Sequence, residues 1–257
     1  MAKNWKIRKD LSIEVCGHTL FRIECTQDFK EIKAGTLGGF IEKEENLDGN
    51  AWVSGNAKVY GNALVSDDAQ VYGNAKVYGK AWVSDDAQVY GDAKVYDNAK
   101  VYGDAQVSDD AQVYDNAWVY GSACVYGDAR VYGNARVYGE AWVSGDAQVS
   151  GNAWVYGEAC VYGEARVSGN ARVYGDEIKS KNDICYISNR YYNITITPLH
   201  IKIGCHYHAH EAWWNFTDEQ IEKMDGYDAI NFWRIWKEPL KQICDAMKKE
   251  KGEKDVK

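Results

Sequence analysis

Residues 51–68 of this 257-residue chain read AWVSGN AKVYGN ALVSDD, and the same six-residue unit continues to residue 176. Ala recurs at every sixth position from Ala51 to Ala171, and Val from Val53 to Val173, 21 times each with no change of phase. A period of six matches neither the 3.6-residue helical period nor simple alternation, so neither one long helix nor one long strand explains it. Such a short internal repeat predicts a solenoid.

Each unit predicts one short strand followed by one turn. Ala and Val lie two residues apart, so both point to the same side of an extended segment. Gly or Asp follows, and then mostly Asn, Asp or Glu, which are residues that favour turns. Carboxylates at these corners are also potential calcium ligands, but a role in the turns is the stronger expectation. The units can bury their Ala/Val side only by coiling around a shared axis, with each coil bonded to the next.

The pairs Ala51/Val53, Ala69/Val71 and Ala129/Val131 resemble the hexapeptide-repeat family, in which an aliphatic residue recurs every six positions with a small residue two before it. This resemblance implies an all-β solenoid, namely a left-handed parallel β-helix with three units per coil. The 21 units then make about seven 18-residue coils, a prism on the order of 34 Å long. The run AGTLGGFIEKEENL at residues 34–47 is similar to the lead-in of the YdcK-like repeat proteins of bacteria and phages.

The chain divides into three predicted parts. Residues 1–48 form an N-terminal β-hairpin and capping segment, with the hairpin turn at Cys16-Gly17-His18. Ile41 and Leu47 precede Val53 at six-residue spacing, which indicates a degenerate first coil. Residues 49–176 are the repeat itself. Caps are expected at both ends, because an open solenoid end exposes unpaired N–H and C=O groups.

Residues 177–257 predict a small C-terminal α+β capping module. The phase of the repeat is lost after Val173, and two alternating segments at residues 191–197 and 200–204 predict strands. The sequence Thr217-Asp-Glu-Gln220 has the form of a capping box and predicts the start of a helix. A second helical pattern runs from Ile230 to Met247, and Pro239 is expected to kink or divide it.

Composition excludes several classes of protein. The net charge of −8 argues against general affinity for nucleic acid. No apolar run is long enough to cross a bilayer, so no membrane partner is expected. Seven scattered cysteines, an odd number, favour reduced thiols and a cytoplasmic location over a disulfide framework. No nucleotide-binding motif is present, and no cofactor is predicted.

The outward residue between Ala and Val falls on one of three faces of the predicted prism. The first, called the lysine face here, carries Lys58, Lys76, Lys94, Gln112, Arg130, Gln148 and Arg166. The second, the tryptophan–cation face, carries Leu64, Trp82, Lys100, Trp118, Arg136, Trp154 and Arg172. The third, the glutamine face, carries Trp52, Gln70, Gln88, Gln106, Cys124, Trp142 and Cys160. Tyr follows Val in most units and predicts aromatic columns along the edges.

The cations and indoles of the first two faces form the candidate binding surface, and three interpretations remain open. They can stabilise the solenoid itself through cation–π and cross-strand pairs of roughly 0.2–1 kcal/mol each. They can form an interface with another protein or with a second copy, which predicts a homo-oligomer. They can also bind a nucleotide, a single strand or a glycan. Carboxylates at the corners flank both faces and oppose a polyanion, so this third interpretation is the least favoured.

Enzymatic activity needs separate consideration, because many hexapeptide-repeat proteins are acyltransferases. Members of that group generally use a His near a coil as general base and a protruding loop to shape the acyl-CoA pocket. Residues 49–176 contain no His and no insertion, so no position matches those catalytic residues. No catalytic residue is predicted. Ice binding, another use of such helices, relies on ladders of Thr, and the coils contain none.

One further candidate site lies outside the repeat, at His206, His208 and His210. Alternate positions of a strand share one face, and a His-x-His arrangement suits zinc. The competing expectation is that these imidazoles pack against Trp213 and Trp214. A metal-binding module therefore remains one alternative to the main prediction.

The main prediction is a non-catalytic binding or scaffold protein that presents rigid solenoid faces to a protein partner or to itself. The YdcK-like lead-in suggests a phage origin, and with it an inhibitor that sequesters a host component. The alternatives are an acyltransferase-like enzyme and a module that binds nucleotide, single strand or metal.

Overall fold

The computed structural model describes residues 3–254 and confirms the predicted parallel β-solenoid, here of about eight turns. Parallel partners lie 18 residues apart, as in the pairing of Gln88 with Gln106. Three stacked sheets carry the three faces, each with the residues that the repeat phase assigns to it. Antiparallel strands adjoin the first turn, and a sheet with helices adjoins the last.

The strands of the three sheets are short. The lysine-face sheet contains Trp5–Val15, His18–Cys25, Leu37–Ile41, Lys58–Val59, Lys76–Val77, Lys94–Val95, Gln112–Val113, Arg130–Val131, Gln148–Val149 and Arg166–Val167. The tryptophan–cation sheet contains Leu64–Val65, Trp82–Val83, Lys100–Val101, Trp118–Val119, Arg136–Val137, Trp154–Tyr156 and Arg172–Tyr174. The glutamine-face sheet contains Trp52–Val53, Gln70–Val71, Gln88–Val89, Gln106–Val107, Cys124–Val125, Trp142–Val143, Cys160–Val161 and Glu177–Ile178.

The solenoid interior consists of the repeated Ala and Val side chains. Every one of them is at most 1% exposed, and they form one continuous apolar core with Ile41, Leu47 and Ile178. The backbone of each coil bonds to the next, as where the Gln88 N–H donates to the Ala105 carbonyl at 2.9 Å. Small side chains therefore let three short strands approach a common axis while the backbone groups of neighbouring coils pair with one another.

The N-terminal residues turn an antiparallel hairpin into the first coil. Trp5–Val15 pairs with His18–Cys25 around the predicted turn, with an irregularity between Arg8 and Ser12. Leu37–Ile41 pairs antiparallel with the hairpin and parallel with Lys58–Val59. A bridge between Leu47 and Val65 continues this turn, which confirms the degenerate first coil.

The solenoid extends further at its other end than its sequence phase suggests. Ile178 pairs opposite Val161, and the Cys160 N–H donates to the Asp176 carbonyl at 2.9 Å. Asp176 and Ile178 thus occupy the places of Ala and Val one residue early. The phase of the repeat is lost after Val173, as the sequence predicts, but the structure shows that a one-residue deletion shifts the phase without ending the coil.

The C-terminal module is the predicted combination of strands and helices. Its antiparallel strands are Cys185–Ser188, Asn193–Ile196, His200–Ile203 and His206–Ala209, and its helices are His210–Asn215 and Asp218–Lys254. Short 3-10 turns lie at Glu44–Asn46 and Lys181–Asp183.

The capping box predicted for the long helix is present, with Thr217 N–H donating to Gln220 at 2.9 Å and Gln220 N–H to the Thr217 hydroxyl at 3.3 Å. The long helix is interrupted at Asp225–Gly226, where Gly226 has φ +67°, and Pro239 lies inside its second part. No described helix combines the length and apolar character needed to cross a membrane.

The corner residue after Tyr or Ser has a left-handed backbone conformation in coil after coil. Gly121 has φ +68°, and a Cβ there would lie 3.0 Å from the Gly139 nitrogen of the next coil. Asp85 adopts the same conformation, with φ 58°, and its carboxylate accepts the Gly103 N–H at 3.0 Å. Asp109 and Asp115 make the equivalent bonds to Gly127 and Gly133. The corner aspartates thus serve the turns, as the sequence favoured.

We expect the Gly121→Ala variant to be less stable than the Gly175→Ala variant. Both positions have positive φ, so each substitution costs about 1–2 kcal/mol of backbone strain. Only Gly121 has backbone of the next coil in contact range, since nothing lies within 4 Å of a Cβ at Gly175, and that contact adds roughly 1–3 kcal/mol. Gly121→Asp is expected to cost less than Gly121→Ala, because its carboxylate can accept the Gly139 N–H. Urea unfolding measures all three, and equal losses for the two alanine variants would contradict the contact.

Candidate functional site

The tryptophan–cation face is a continuous stack of alternating indoles and cations. Lys100 Nζ lies 5.4 Å from the ring centre of Trp82 and 5.0 Å from that of Trp118. The Arg136 guanidinium lies 4.8 Å from Trp118 and 5.1 Å from Trp154. The stack ends with Arg172 at 4.3 Å from Trp154. It arises because one coil advances each outward residue by one strand spacing, which places the indoles and cations in van der Waals reach.

The cations of this stack cover both faces of its inner tryptophan rings. Trp118 and Trp154 each have a cation against both sides, so neither offers a free ring face for stacking on a base. Trp82 has a cation on one side only and is 41% exposed. This geometry supports self-stabilisation of the inner coils, and it leaves the cations and the Trp82 end as the parts of this face available to a partner.

The lysine face is a second row of cations. Its Lys58, Lys76 and Lys94 side chains follow one another in directly paired strands. Burial lowers the pKa of Lys58, and the neighbouring charge of Lys76 lowers it further. Within residues 3–254, none of the cations on this face or the tryptophan–cation face forms an ion pair: Lys58, Lys76, Lys94, Lys100, Arg130, Arg136, Arg166 and Arg172.

The corner between these two faces carries amides where the other corners carry acids. Its outermost positions are Asn62, Lys80, Asn98, Asn116, Asn134, Asn152 and Asn170. Asn134 donates to Asn152 at 3.2 Å, and Asn152 to Asn170 at 3.0 Å, so the amides form a ladder along the prism. Asp97 and Asp115 are the carboxylates of this corner, in its turn positions. We call this edge the asparagine corner.

Most carboxylates of the coils lie on the two corners that border the glutamine face. One corner carries Asp67, Asp68, Asp85, Asp86, Asp104, Glu140 and Glu158. The other carries Asp92, Asp109, Asp110, Asp128, Asp146 and Glu164. The expectation that acids flank both cationic faces therefore holds only at their outer edges. The molecule has a cationic side, made of two faces and the asparagine corner, and an acidic side around the glutamine face.

The three histidines proposed as a metal site do not converge. His206 and His208 lie on one face of a strand with ring centres 6.4 Å apart, and His208 packs edge-on against Trp213 and Phe216. The strand ends at Ala209, so His210 begins a helix, and its buried Nε2 lies 3.0 Å from the Thr197 carbonyl. In the described part of the chain, no group of three His, Cys, Asp or Glu side chains is arranged to hold a metal ion.

Sequence reasoning missed a buried polar cluster at the last coil. Asp176 is 1% exposed and accepts hydrogen bonds from the Thr197 hydroxyl at 2.8 Å and the Tyr207 hydroxyl at 2.7 Å. His200 Nδ1 lies 3.1 Å from both of its carboxylate oxygens. Burial and the hydrogen bond to Asp176 raise the pKa of Tyr207 well above its usual value. Asp176 fits the corner position of the six-residue unit, so the repeat pattern carried no signal that a shift of one residue turns this side chain inward.

The repeats match the family model of the YdcK beta solenoid repeat at residues 69–85, 111–127, 129–145, 147–163 and 165–179. The protein is a YdcK-like β-solenoid repeat protein. The resemblance seen in the lead-in sequence is thereby confirmed on the coils themselves. A comparison with curated proteins finds no significant match.

The match to the YdcK repeat describes the solenoid of this protein. Each matched stretch spans close to one coil, and the last ends at residue 179. Asp176 therefore lies in the last matched stretch, whereas its partners Thr197, His200 and Tyr207 lie beyond the match. The contacts that join the last coil of this YdcK-like protein to its C-terminal module therefore involve residues outside the matched repeats.

Proposed function

We propose that this protein is a non-catalytic binding scaffold whose cationic side docks an extended acidic protein surface. The proposal rests on one observation, the separation of charge along the prism: eight cations that form no ion pair with any described residue lie on two adjacent faces, and most carboxylates of the coils lie elsewhere. In a chain with a net charge of −8, so ordered a distribution favours recognition of a partner of opposite sign. An inhibitor that a phage uses to sequester a host protein would be one form of this function.

The molecule itself carries one acidic surface of suitable shape. The acidic corners of a second copy have the same 18-residue repeat as the cationic faces, so charges can remain in register over the whole length of two prisms. A second copy is therefore the occupant we propose first. Complementary rows of exposed charge contribute mainly to orientation and to the rate of association, and salt screens them.

The experiment is light scattering on the full chain at low and high salt. We expect the wild type to form an oligomer at low salt that dissociates at high salt. A variant with Lys58→Gln, Lys76→Gln and Lys94→Gln is expected to be a monomer throughout. The matched control, Lys223→Gln, Lys241→Gln and Lys249→Gln, makes the same change of charge at exposed lysines of the C-terminal helix, away from the two faces, and should retain the wild-type mass.

Two outcomes would contradict the proposal. A monomeric wild type at low salt excludes a second copy as the occupant. Equal loss of the oligomer in both triple variants would mean that overall charge, and not the lysine face, controls assembly. A single-stranded oligonucleotide added to the wild type tests the alternative ligand, since its binding with a steep salt dependence would favour a nucleic-acid module over a protein scaffold.

A further inference from the structure

A groove with a volume of about 710 Å³ lies where the tryptophan–cation face meets the C-terminal sheet. The last coils contribute Arg136, Trp154 and Arg172 to its lining, beside the upper end of the asparagine corner. The C-terminal module contributes Tyr191, Thr195 and Lys202. Pockets of several hundred Å³ hold small molecules in many proteins. The groove therefore has the size of a binding site and is built from two parts of the chain.

The charge in this groove is unbalanced. Arg136, Arg172 and Lys202 line it, and none of the lining residues is an Asp or a Glu. Within the described chain, none of the three cations takes part in an ion pair. Three cations in one concave, partly dehydrated space repel each other, and their repulsion is relieved when an anion enters.

The charge of Lys202 in this groove is not explained by the stacking of cations on tryptophan rings that stabilises the solenoid. The guanidinium groups of Arg136 and Arg172 pack on tryptophan rings, so the stack accounts for them. Lys202 is only 8% exposed, and its ammonium has one long hydrogen bond, 3.5 Å to the Cys205 carbonyl. Burial lowers the pKa of Lys202, and the nearby charge of Arg172 lowers it further. Buried ammonium groups are normally paired with a carboxylate, and among residues 3–254 Lys202 has no such partner.

We propose that this groove binds a small molecule through a phosphate or diphosphate group, held by Lys202, Arg172 and Arg136. Three cations match a group that carries more than one negative charge, and the planar guanidinium donors suit tetrahedral oxyanions. The exposed ring of Tyr191 at the rim lies beside the space for the remainder of the ligand. The groove shares Arg136 and Arg172 with the cationic side to which docking of an acidic protein is assigned, whereas Lys202 belongs to the groove alone.

Titration calorimetry on the full chain tests the site, with pyrophosphate, ADP and inorganic phosphate as probes. We expect saturable binding of pyrophosphate or ADP with one site per chain. Lys202→Gln and Arg172→Gln should each weaken it on the order of ten- to a hundredfold, the loss typical for a hydrogen bond to a charged group. ADP binding more tightly than pyrophosphate would show that the organic part also contacts the groove, and equal affinities would show that the diphosphate alone is recognised.

The control is the Lys58→Gln, Lys76→Gln, Lys94→Gln variant, which removes three cations of the lysine face and leaves the groove intact. It should bind pyrophosphate as the wild type does, even if its oligomer is lost, so failure of the scaffold proposal and failure of this one are distinguishable. Thermal melting verifies that Lys202→Gln is folded, and we expect it to be, since the change removes a buried charge. Absence of binding by all three probes, or equal weakening in the lysine-face control, would overturn the site.

Discussion

Replacing Asp176 by Ala should lower the free energy of unfolding by about 3–5 kcal/mol, the range found when one partner of a buried charged pair is removed. The carboxylate is almost fully buried and bonds the Thr197 and Tyr207 hydroxyl groups at 2.8 and 2.7 Å. His200 is the third group around it. Without the carboxylate, these groups lose their shared acceptor at the junction, and unpaired buried polar groups are costly. Urea unfolding gives the loss, and hydrogen exchange shows whether the C-terminal sheet loses protection first.

Asp176→Asn is the matched control for this prediction. The amide keeps one oxygen that can accept a hydrogen bond but removes the charge, so its loss should be smaller than that of Asp176→Ala. If Asp176→Ala unfolds at the wild-type urea concentration and its C-terminal amides exchange at the wild-type rate, the cluster does not hold the module to the solenoid.

An aspartate that stabilises the fold at position 176 should destabilise it at the equivalent position four coils earlier. Ala105 stands in the same column of the glutamine-face sheet as Asp176, and it is fully buried among Ala and Val. We expect Ala105→Asp to cost at least about 4–5 kcal/mol, because no donor is available to an ionised carboxylate in that dry interior. This loss is comparable to the whole stability of many domains, so the variant is expected to be largely unfolded.

Circular dichroism and urea unfolding measure this effect. Ala105→Ser introduces a small polar group without a charge at the same site and should lose far less. A folded Ala105→Asp variant with the midpoint of the wild type would refute the description of the interior as dry and closely packed. Together, the changes at Ala105 and Asp176 test whether the C-terminal module makes an inward carboxylate tolerable.

Several features of this protein were predictable from its sequence because they are local and repeated. The position of each residue within the six-residue unit decides whether it points inward, outward or into a turn, and 21 repetitions without a slip make the pattern unambiguous. Inward Ala51 and Val173, and outward Trp118 and Arg136, all follow from that position alone. The stacking of an indole on a cation one coil away follows in turn from the three units per coil.

The tertiary structure alone decided what happens where the repeat meets the C-terminal module. Asp176 and His200 are 24 residues apart, and Arg172 and Lys202 belong to different sheets, so no period relates their positions. A shift of one residue in the last coil placed a carboxylate inward, and the folding of the module around it supplied the donors. Contacts between non-repeating segments depend on long-range packing, which a local pattern does not encode. For that reason the sequence determined the solenoid and its faces, and only the folded chain revealed the polar junction and the cationic groove.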